Sequence, residues 1–483
     1  MRTETDGEMT RQSVMRRLWL IYVICVAYTA LFFAVGGDDI LHRDAPSAKP
    51  DAASSGVIGE VTDGMVVEQE FTAHADEVVR LDVQIGTYER KNTGTLTASV
   101  YDETGTQVTK SVMNASELVN GVTPFVLDPA ITDANGKTYT VRFETEGASA
   151  GNAATFSCAY GADGFADLAL NGEKQNNETL IMSSVSRIPD IWGKILLGMW
   201  AVLIVFFAGY FLYTDRKLKQ DKDTAASASI KALSRYRFLM DQLVSRDFKV
   251  RYKRSVLGVM WSFINPILTM LVQFFVFSKV FRVGGANYIV YLLTGITFFN
   301  FYSESTNNGL LSIVGNASLI KKVYVPKYIY PVSKTLSSAI NFGIAIILLF
   351  AVTLISGIPL TKYILLFPYA AACAFILNIG VSLIISTGMV FFHDVQFLYN
   401  VFMTLLSYGT PLFWYLSSMP ERYHFVFYMN PLCDIITFSR DCIMYGTFPG
   451  AQLSVLCLLI PVLILAAGVL IFRKFEDEFV LHI

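Results

Sequence analysis

Apolar and polar positions divide the chain into segments of sharply different pattern. Residues 18–35 (LWLIYVICVAYTALFFAV) carry no charge and follow Arg16 and Arg17. The run is longer than a signal-peptide core of roughly 7–15 residues, and no clear A-x-A site follows. It predicts a membrane span, with cleavage after it as the alternative. From about residue 36 to 190 the period becomes two: Val79, Leu81, Val83 and Ile85; Leu96, Ala98 and Val100; Tyr139, Val141 and Phe143. Such alternation marks half-buried strands, with turn signals at Glu103-Thr104-Gly105 and Asn135-Gly136. A segment of this length and pattern predicts an all-β sandwich. Residues 191–213 form a second apolar run. Residues 256–472 are almost continuously apolar and divide into six runs of bilayer length, near 256–281, 288–314, 331–356, 363–391, 395–413 and 453–472.

Positive charge orients these runs. Arg216, Lys217, Lys219 and Lys222, then Lys231, Arg235, Arg237, Arg246, Lys249, Arg251, Lys253 and Arg254 crowd residues 214–255, and basic residues stay on the cytosolic side. The predicted fold class is therefore an α-helical polytopic membrane protein of about eight spans with an inserted extracytoplasmic all-β sandwich. Its divisions are a cytosolic N-terminus (1–17), a span (18–35), the β domain (36–190), a span (191–213), a basic linker with an interface helix (214–255), a six-span domain (256–472) and a cytosolic tail (473–483). The chain is expected in the plasma membrane, with residues 36–190 outside and both termini cytosolic.

Composition agrees and narrows the function. Of 483 residues 53% are hydrophobic and 16% charged, and mean hydropathy is +0.45. A net charge of -2 supplies no basic field for nucleic acid, so no nucleic-acid partner is expected. Cys158 is the one cysteine of the β segment, so that domain has no internal disulfide and depends on its core. Tyr236, Leu239, Met240, Leu243 and Val244 recur at the spacing of one helical face, which suits a helix lying in the inner membrane interface, or a charged linker helix. No phosphate loop of the form G-x-x-x-x-G-K followed by Ser or Thr occurs, and the five histidines are scattered, so no metal site is expected.

Four blocks, in order, carry a resemblance: RDFKVRYKRSVLGVMWSFINPILTML (residues 246–271), TGITFFNFYSESTNNGLLSIVGNASLIKKVYVPKYIYPVSK (294–334), FFHDVQFLYN (391–400) and MNPLCDIITFSRD (429–441). Together they resemble the permease subunits of ABC polysaccharide exporters, the group that moves O-antigen, teichoic acid and rhamnose-rich polymers. The resemblance implies a transport subunit rather than an enzyme, paired with a second copy of itself. Two copies of a separate ATPase subunit would bind Mg-ATP, this chain holding no cofactor. Lipid-linked polysaccharide and membrane lipid would be its other partners.

The resemblance also implies sites. A short cytosolic coupling helix would run from about Asn316 to Tyr328, including Leu319, Lys321, Lys322, Val323, Tyr324 and Pro326, and act as a lever on its flanking spans. Lys321 and Lys322 also satisfy simple positive-inside anchoring. Arg246 and Asp247 are a second candidate contact with the ATPase. Aromatic rings suit a sliding sugar polymer, since they stack without fixing it by directional bonds. Candidates are Trp261, Phe274, Phe277, Tyr291, Phe298, Phe299 and Tyr302, with Trp414 and Tyr415 near the outer mouth; lipid-facing belt positions are the alternative. Glu304 lies inside a span, where an ionisable group faces a bundle interior or water, so it would line the substrate path or the dimer seam; a hydrogen-bonded structural carboxylate is the alternative. The segment 411–446, broken by Pro420 and Pro431, resembles re-entrant outer helices, and Cys433 and Cys442 within it could pair. His393-Asp394 stands where the family shows Arg-Asp, so Asp394 carries over as a cytosolic-end polar contact, but the arginine's ion pair does so only if His393 is protonated.

The expected function is export of a lipid-linked polysaccharide across the plasma membrane. Export of small lipids or drugs, and a receptor or scaffold acting through the β domain, remain open. For the β domain itself, binding the emerging polymer, docking a wall-processing enzyme, and a spacer or dimer-stabilising role all stay open.

Overall fold

The computed structural model describes residues 10–50, 55–88, 90–118, 120–162, 164–252, 257–281, 287–322, 325–416, 419 and 421–483. They form two compact units, Leu41–Asp190 and the remainder.

Unit Leu41–Asp190 is built of antiparallel strands: β1 (His42–Pro46), β2 (Ser55–Glu60), β3 (Val66–Thr72), β4 (Glu77–Gly86), β5 (Thr95–Tyr101), β6 (Gln107–Asn114), β7 (Gly121–Ile131), β8 (Thr138–Glu146), β9 (Thr155–Tyr160), β10 (Ala169–Leu170), β11 (Glu173–Lys174), β12 (Glu178–Leu180) and β13 (Met182–Pro189). One sheet runs β1-β13-β4-β7, with β9 pairing β4, β2 and β12; the other runs β6-β5-β8-β3-β10-β11. The two join through the pairing of Lys110 with Asp128. Between them Phe143 meets Phe125 at 5.5 Å and Phe156 at 4.7 Å, so aromatic rings from both sheets interleave in one core. Burying each such side chain contributes about 1.5–3 kcal/mol. Leu81, Val83 and Ile85 point inward as the alternation predicts, but a bulge between Val78 and Arg80 puts Val78 in the core in place of Val79. Cys158 is fully buried beside these rings.

The helical unit contains α1 (Arg11–Gly36), α2 (Ile191–Leu218), α3 (Ala225–Arg235), α4 (Arg237–Tyr252), α5 (Trp261–Phe274), α6 (Tyr288–Leu310), α7 (Ala317–Ile320), α8 (Ile329–Ile355), α9 (Phe367–Phe391), α10 (Val395–Gly409), α11 (His424–Tyr428), α12 (Pro431–Arg440), α13 (Ala451–Phe475) and α14 (Phe479–His482). Among the described residues 6 helical segments are long and apolar enough to cross a membrane: those built on α1, α2, α5, α8, α9 and α13. The two remaining apolar runs depart from that measure for different reasons. α6 is long enough, but its last turns carry Asn300, Glu304, Asn307 and Asn308, and most of it is enclosed by other helices. α10 has 15 residues, short of the about 20 that a bilayer requires.

Small residues set the closest packing. A Cβ at Gly380 would lie 2.7 Å from the backbone nitrogen of Leu465, and one at Gly468 would lie 2.6 Å from the Gly380 carbonyl, so α9 and α13 meet backbone to backbone. α1 and α2 join the same bundle: Phe32 is fully buried among Trp200, Tyr369 and Phe448, and the Tyr363 hydroxyl bonds Asp39 at 2.5 Å. The apolar face of α4 is covered by protein, with Met240 and Leu243 buried against Ile313, Ile329 and Tyr330. Cys433 and Cys442 are buried and unpaired, so the disulfide considered for them is absent.

Candidate functional site

Three helices each turn one polar stripe toward a common cleft. On α6, Thr297, Asn300, Glu304, Asn307 and Asn308 recur at helical spacing; on α8 the positions are Ser338 and Asn341, and on α5 they are Ser262, Asn265 and Thr269. The cleft encloses about 600 Å³, with Trp261 and Phe301 on its walls. Its centre is a relay across all three helices: Ser262 Oγ donates to Asn341 Oδ1 at 3.4 Å, and Asn341 Nδ2 donates to Glu304 Oε1 at 2.9 Å. Thr297 and Ser338 also line it, and their hydroxyl oxygens are buried without a partner among the described residues. A buried hydroxyl left unpaired costs about 1–3 kcal/mol, so the cleft is under-satisfied as it stands and suited to a hydroxylated guest. The asparagines matter chemically because each amide both donates and accepts, so it can satisfy a hydroxyl in either orientation.

The aromatic candidates separate into groups. Trp261 faces the cleft and is 43% exposed. Phe298 is fully buried, packed on Phe342 at 5.2 Å and Phe367 at 5.8 Å, so it builds the bundle core and does not reach the cleft. Tyr302 is buried against Tyr399, and Phe299 packs at the edge of the core. Phe274, Phe277, Tyr291, Trp414 and Tyr415 gather instead around the turn at 411–415. Phe277 stacks on Phe413 at 4.7 Å, Phe274 meets Tyr288 at 6.2 Å, and the Tyr291 hydroxyl donates to the carbonyls of Trp414 at 2.5 Å and Pro411 at 3.2 Å. Tyr415 lies 4.5 Å from Tyr291.

Arg440 on α12 holds this cluster together, and the sequence reading did not single it out although it stands in one of the four quoted blocks. It is 3% exposed. Its Nη1 donates to the Pro411 carbonyl at 2.7 Å, its Nη2 to the carbonyls of Tyr291 at 3.1 Å and Leu412 at 3.4 Å, and its guanidinium lies 3.4 Å over the Tyr291 ring. The irregular backbone of 411–412 is thereby satisfied inside the protein, as an apolar setting requires. Gly295 makes room for it, since a Cβ there would sit 2.8 Å from Nη2.

The coupling candidates converge elsewhere. Asp247 accepts from Lys334 of α8 at 2.7 Å and from Arg246 at 3.2 Å, and Arg246 also reaches Asn316 Oδ1 at 3.5 Å. Asn316 is itself anchored to the Ser312 carbonyl at 2.8 Å. The helix expected over 316–328 is shorter: a turn at Val314–Asn316, four residues of α7, and a further turn. Leu319 packs on the core under it, Lys321 and Lys322 are exposed, and Pro326 accepts from the amide of Ile329 at the start of α8. Val323 and Tyr324 lie outside the described residues. His393 and Asp394 are exposed in the turn between α9 and α10, where the Asp394 carbonyl caps the first amides of α10.

Comparison with known proteins decides the family. The family model described as ABC-2 type transporter matches residues 239–444. The O-antigen export system permease protein RfbA of Klebsiella pneumoniae is 32% identical over 255 residues, covering 52% of this chain and 98% of that protein. The chain belongs to the ABC-2 type transporter family. The RfbA protein of Myxococcus xanthus is 27% identical, covering 52% of this chain and 97% of that protein, and the polysialic acid transport protein KpsM of Escherichia coli is 22% identical over 49% and 93%. The RfbA proteins are named export-system permeases and KpsM a transport protein, so this chain is a transport component rather than an enzyme. In this ABC-2 permease the cleft, the Arg440 cluster and the Asp247 network all fall within the matched residues, whereas α1, the β unit and α2 lie before them.

Proposed function

We propose that this ABC-2 permease is the membrane-spanning half of an exporter that carries a lipid-linked polysaccharide across the plasma membrane, driven by a separate ATPase. The observation that carries the reading is the amide-lined cleft of α5, α6 and α8, a polar groove built into otherwise apolar helices. Asparagine side chains bind sugar hydroxyls singly and weakly, which favours passage of successive units over retention of one. Glu304 is held by Asn341 and so orients the relay. The names of its relatives, O-antigen export permease and polysialic acid transport protein, support the same substrate class.

In this proposal α6 and α10 complete eight spans, α6 being shielded by its neighbours, and α10 presenting Phe397, Leu398, Val401 and Leu405, each about 70% exposed, to lipid or to a second copy of the chain. The β unit then lies outside and both termini in the cytosol, a placement that the basic residues of 214–255 support. Two ATPase subunits with Mg-ATP would press on the exposed Lys321 and Lys322 and on the Arg246–Asp247 corner. Their closure would be passed to α8 through Lys334. Depleting the chain tests the reading: lipid-linked polymer is expected to accumulate inside the cell, and the purified chain to carry its ATPase with it. Normal polymer export in depleted cells would overturn the proposal.

A further inference from the structure

We propose that the β unit carries a saccharide-binding site of its own, in the cleft bounded by Phe71 on β3, Phe165 and Ser184 on β13. The cleft encloses about 340 Å³, inside the range of small-molecule sites, about 300–1,000 Å³. The matched family residues begin well after it, so nothing in the permease comparison assigns it a role.

Its construction is specific. Gln69 of β3 is 3% exposed and spends both ends of its amide on structure: Nε2 donates to the Ala166 carbonyl at 2.8 Å, and Oε1 accepts from the Leu180 amide at 3.0 Å and from Thr179 at 3.3 Å. The strands and the 164–166 loop are therefore fixed around the opening without any guest. Phe71 is steadied by stacking on Tyr139 at 5.8 Å, while Phe165 stands 37% exposed. Ser184 is the independent sign of a ligand. It lines the cleft and is 2% exposed, its amide is satisfied by Ser47 Oγ at 3.0 Å, and its own Oγ is buried with no partner among the described residues.

The lining chemistry selects the class of guest. Two phenyl rings offer faces to C–H groups, Ser184 offers a hydroxyl, and Glu70 and His74 at the rim accept and donate at the edge. Among the described residues no lysine or arginine lines the cleft, which disfavours phosphate and polyanions. A neutral pyranose unit, apolar on its ring faces and hydroxylated at its edge, satisfies both halves. It could come from the exported polymer or from the cell wall.

Binding is read without transport, so this inference and the export proposal fail separately. The full chain in detergent micelles is titrated with three probes, followed by saturation-transfer NMR: envelope polysaccharide of the source cells cut to short oligosaccharides, the neutral N-acetylglucosamine disaccharide as the wall sugar, and a murein stem peptide. Saturable binding of either sugar probe is expected, and which one binds identifies the source. Phe165→Ala should weaken it by about tenfold or more through lost stacking. His74→Ala, at an exposed rim position that leaves the core untouched, should also weaken it. Ser184→Val should abolish it, with hydrogen exchange of the β strands checking that the unit still folds. Absence of binding by both sugars, binding of the peptide alone, or sugar binding unchanged in both Phe165→Ala and His74→Ala overturns the proposal.

Discussion

Replacing Arg440 measures what holds the turn at 411–415. The guanidinium makes two short bonds, to Pro411 at 2.7 Å and Tyr291 at 3.1 Å, a longer one to Leu412 at 3.4 Å, and covers the Tyr291 ring. Hydrogen bonds to a charged group are worth about 1.5–3 kcal/mol each, so the two short ones supply about 3–6 kcal/mol. The buried cation over a ring adds about 2 kcal/mol. Against this stands the several kcal/mol needed to bury the charge. Arg440→Met removes the bonds but also the desolvation penalty, and should cost about 2 kcal/mol net. Arg440→Lys keeps the penalty while losing the planar fork that reaches three carbonyls and the stacking face, and should cost more, about 3–4 kcal/mol. Equilibrium unfolding of the purified chain in mixed SDS and dodecylmaltoside gives both values. A lysine variant as stable as the native chain, or clearly more stable than the methionine variant, would refute the reasoning.

Gly380→Ala should destabilise the bundle by about 1–3 kcal/mol in the same assay, since the new Cβ meets the Leu465 backbone at 2.7 Å, which cannot rotate away. Gly209→Ala on α2 meets nothing within 4 Å and should be neutral or slightly stabilising; equal losses at both glycines would contradict the packing argument. A double-mutant cycle of Asp247→Asn with Lys334→Met should give a coupling of about 1 kcal/mol, because the pair is only partly shielded, and a coupling of zero would remove the link between α4 and α8. In the β unit the Gly151 amide and then Arg90 hold the Glu60 carboxyl below its ordinary value of 4.5. A depressed carboxyl stabilises the folded state above that value and loses its contribution as pH falls through the folded one. Hydrogen exchange of Ser55–Glu60 should therefore be faster in Glu60→Gln than in the native chain at neutral pH, with the gap closing in acid; a gap that persists there counts against the assignment.

Much of the architecture was legible because period alone carries it. Alternating Leu81, Val83 and Ile85 gave a strand, and the charge-free runs gave helices. The misplacement of Val79 shows the limit: a bulge changes which residues face inward without altering the composition that predicts a strand. The aromatic candidates divided because residue type does not reveal which side of a helix is covered. Phe298 and Trp261 have similar chemistry, but the first is sealed between α8 and α9 and the second faces an opening. The polar stripe Asn300, Glu304, Asn307 and Asn308 is present in the sequence at helical spacing, yet only Glu304 stands out there, because a charge in a span is conspicuous and an amide is not. Arg440 gave no local signal either, since its partners are carbonyls of 291, 411 and 412 that adjoin it only after folding.

The cleft and the corner at Asp247 share α8, so movement of one is tied to the other. α8 begins beside the 316–322 segment, receives Asp247 at Lys334, and presents Ser338 to the cleft one turn later and Asn341 about two turns later. One turn is about 5.4 Å, too short for a hydrogen-bonded helix to absorb a push by bending. α6 enters the same segment from its other end, with Asn307 and Asn308 a few residues before Ser312, whose carbonyl anchors Asn316. A displacement of the short turns between α6 and α8 must therefore move both walls of the cleft relative to α5. The Ser262–Asn341–Glu304 relay crosses that moving boundary, and its 3.4 Å contact is the weakest link in it. Breaking that one long bond costs little, about 1 kcal/mol or less. The cleft can then change width at low cost, while Asp247 and Lys334, in contact at 2.7 Å and only partly shielded, keep α4 tied to the same helix.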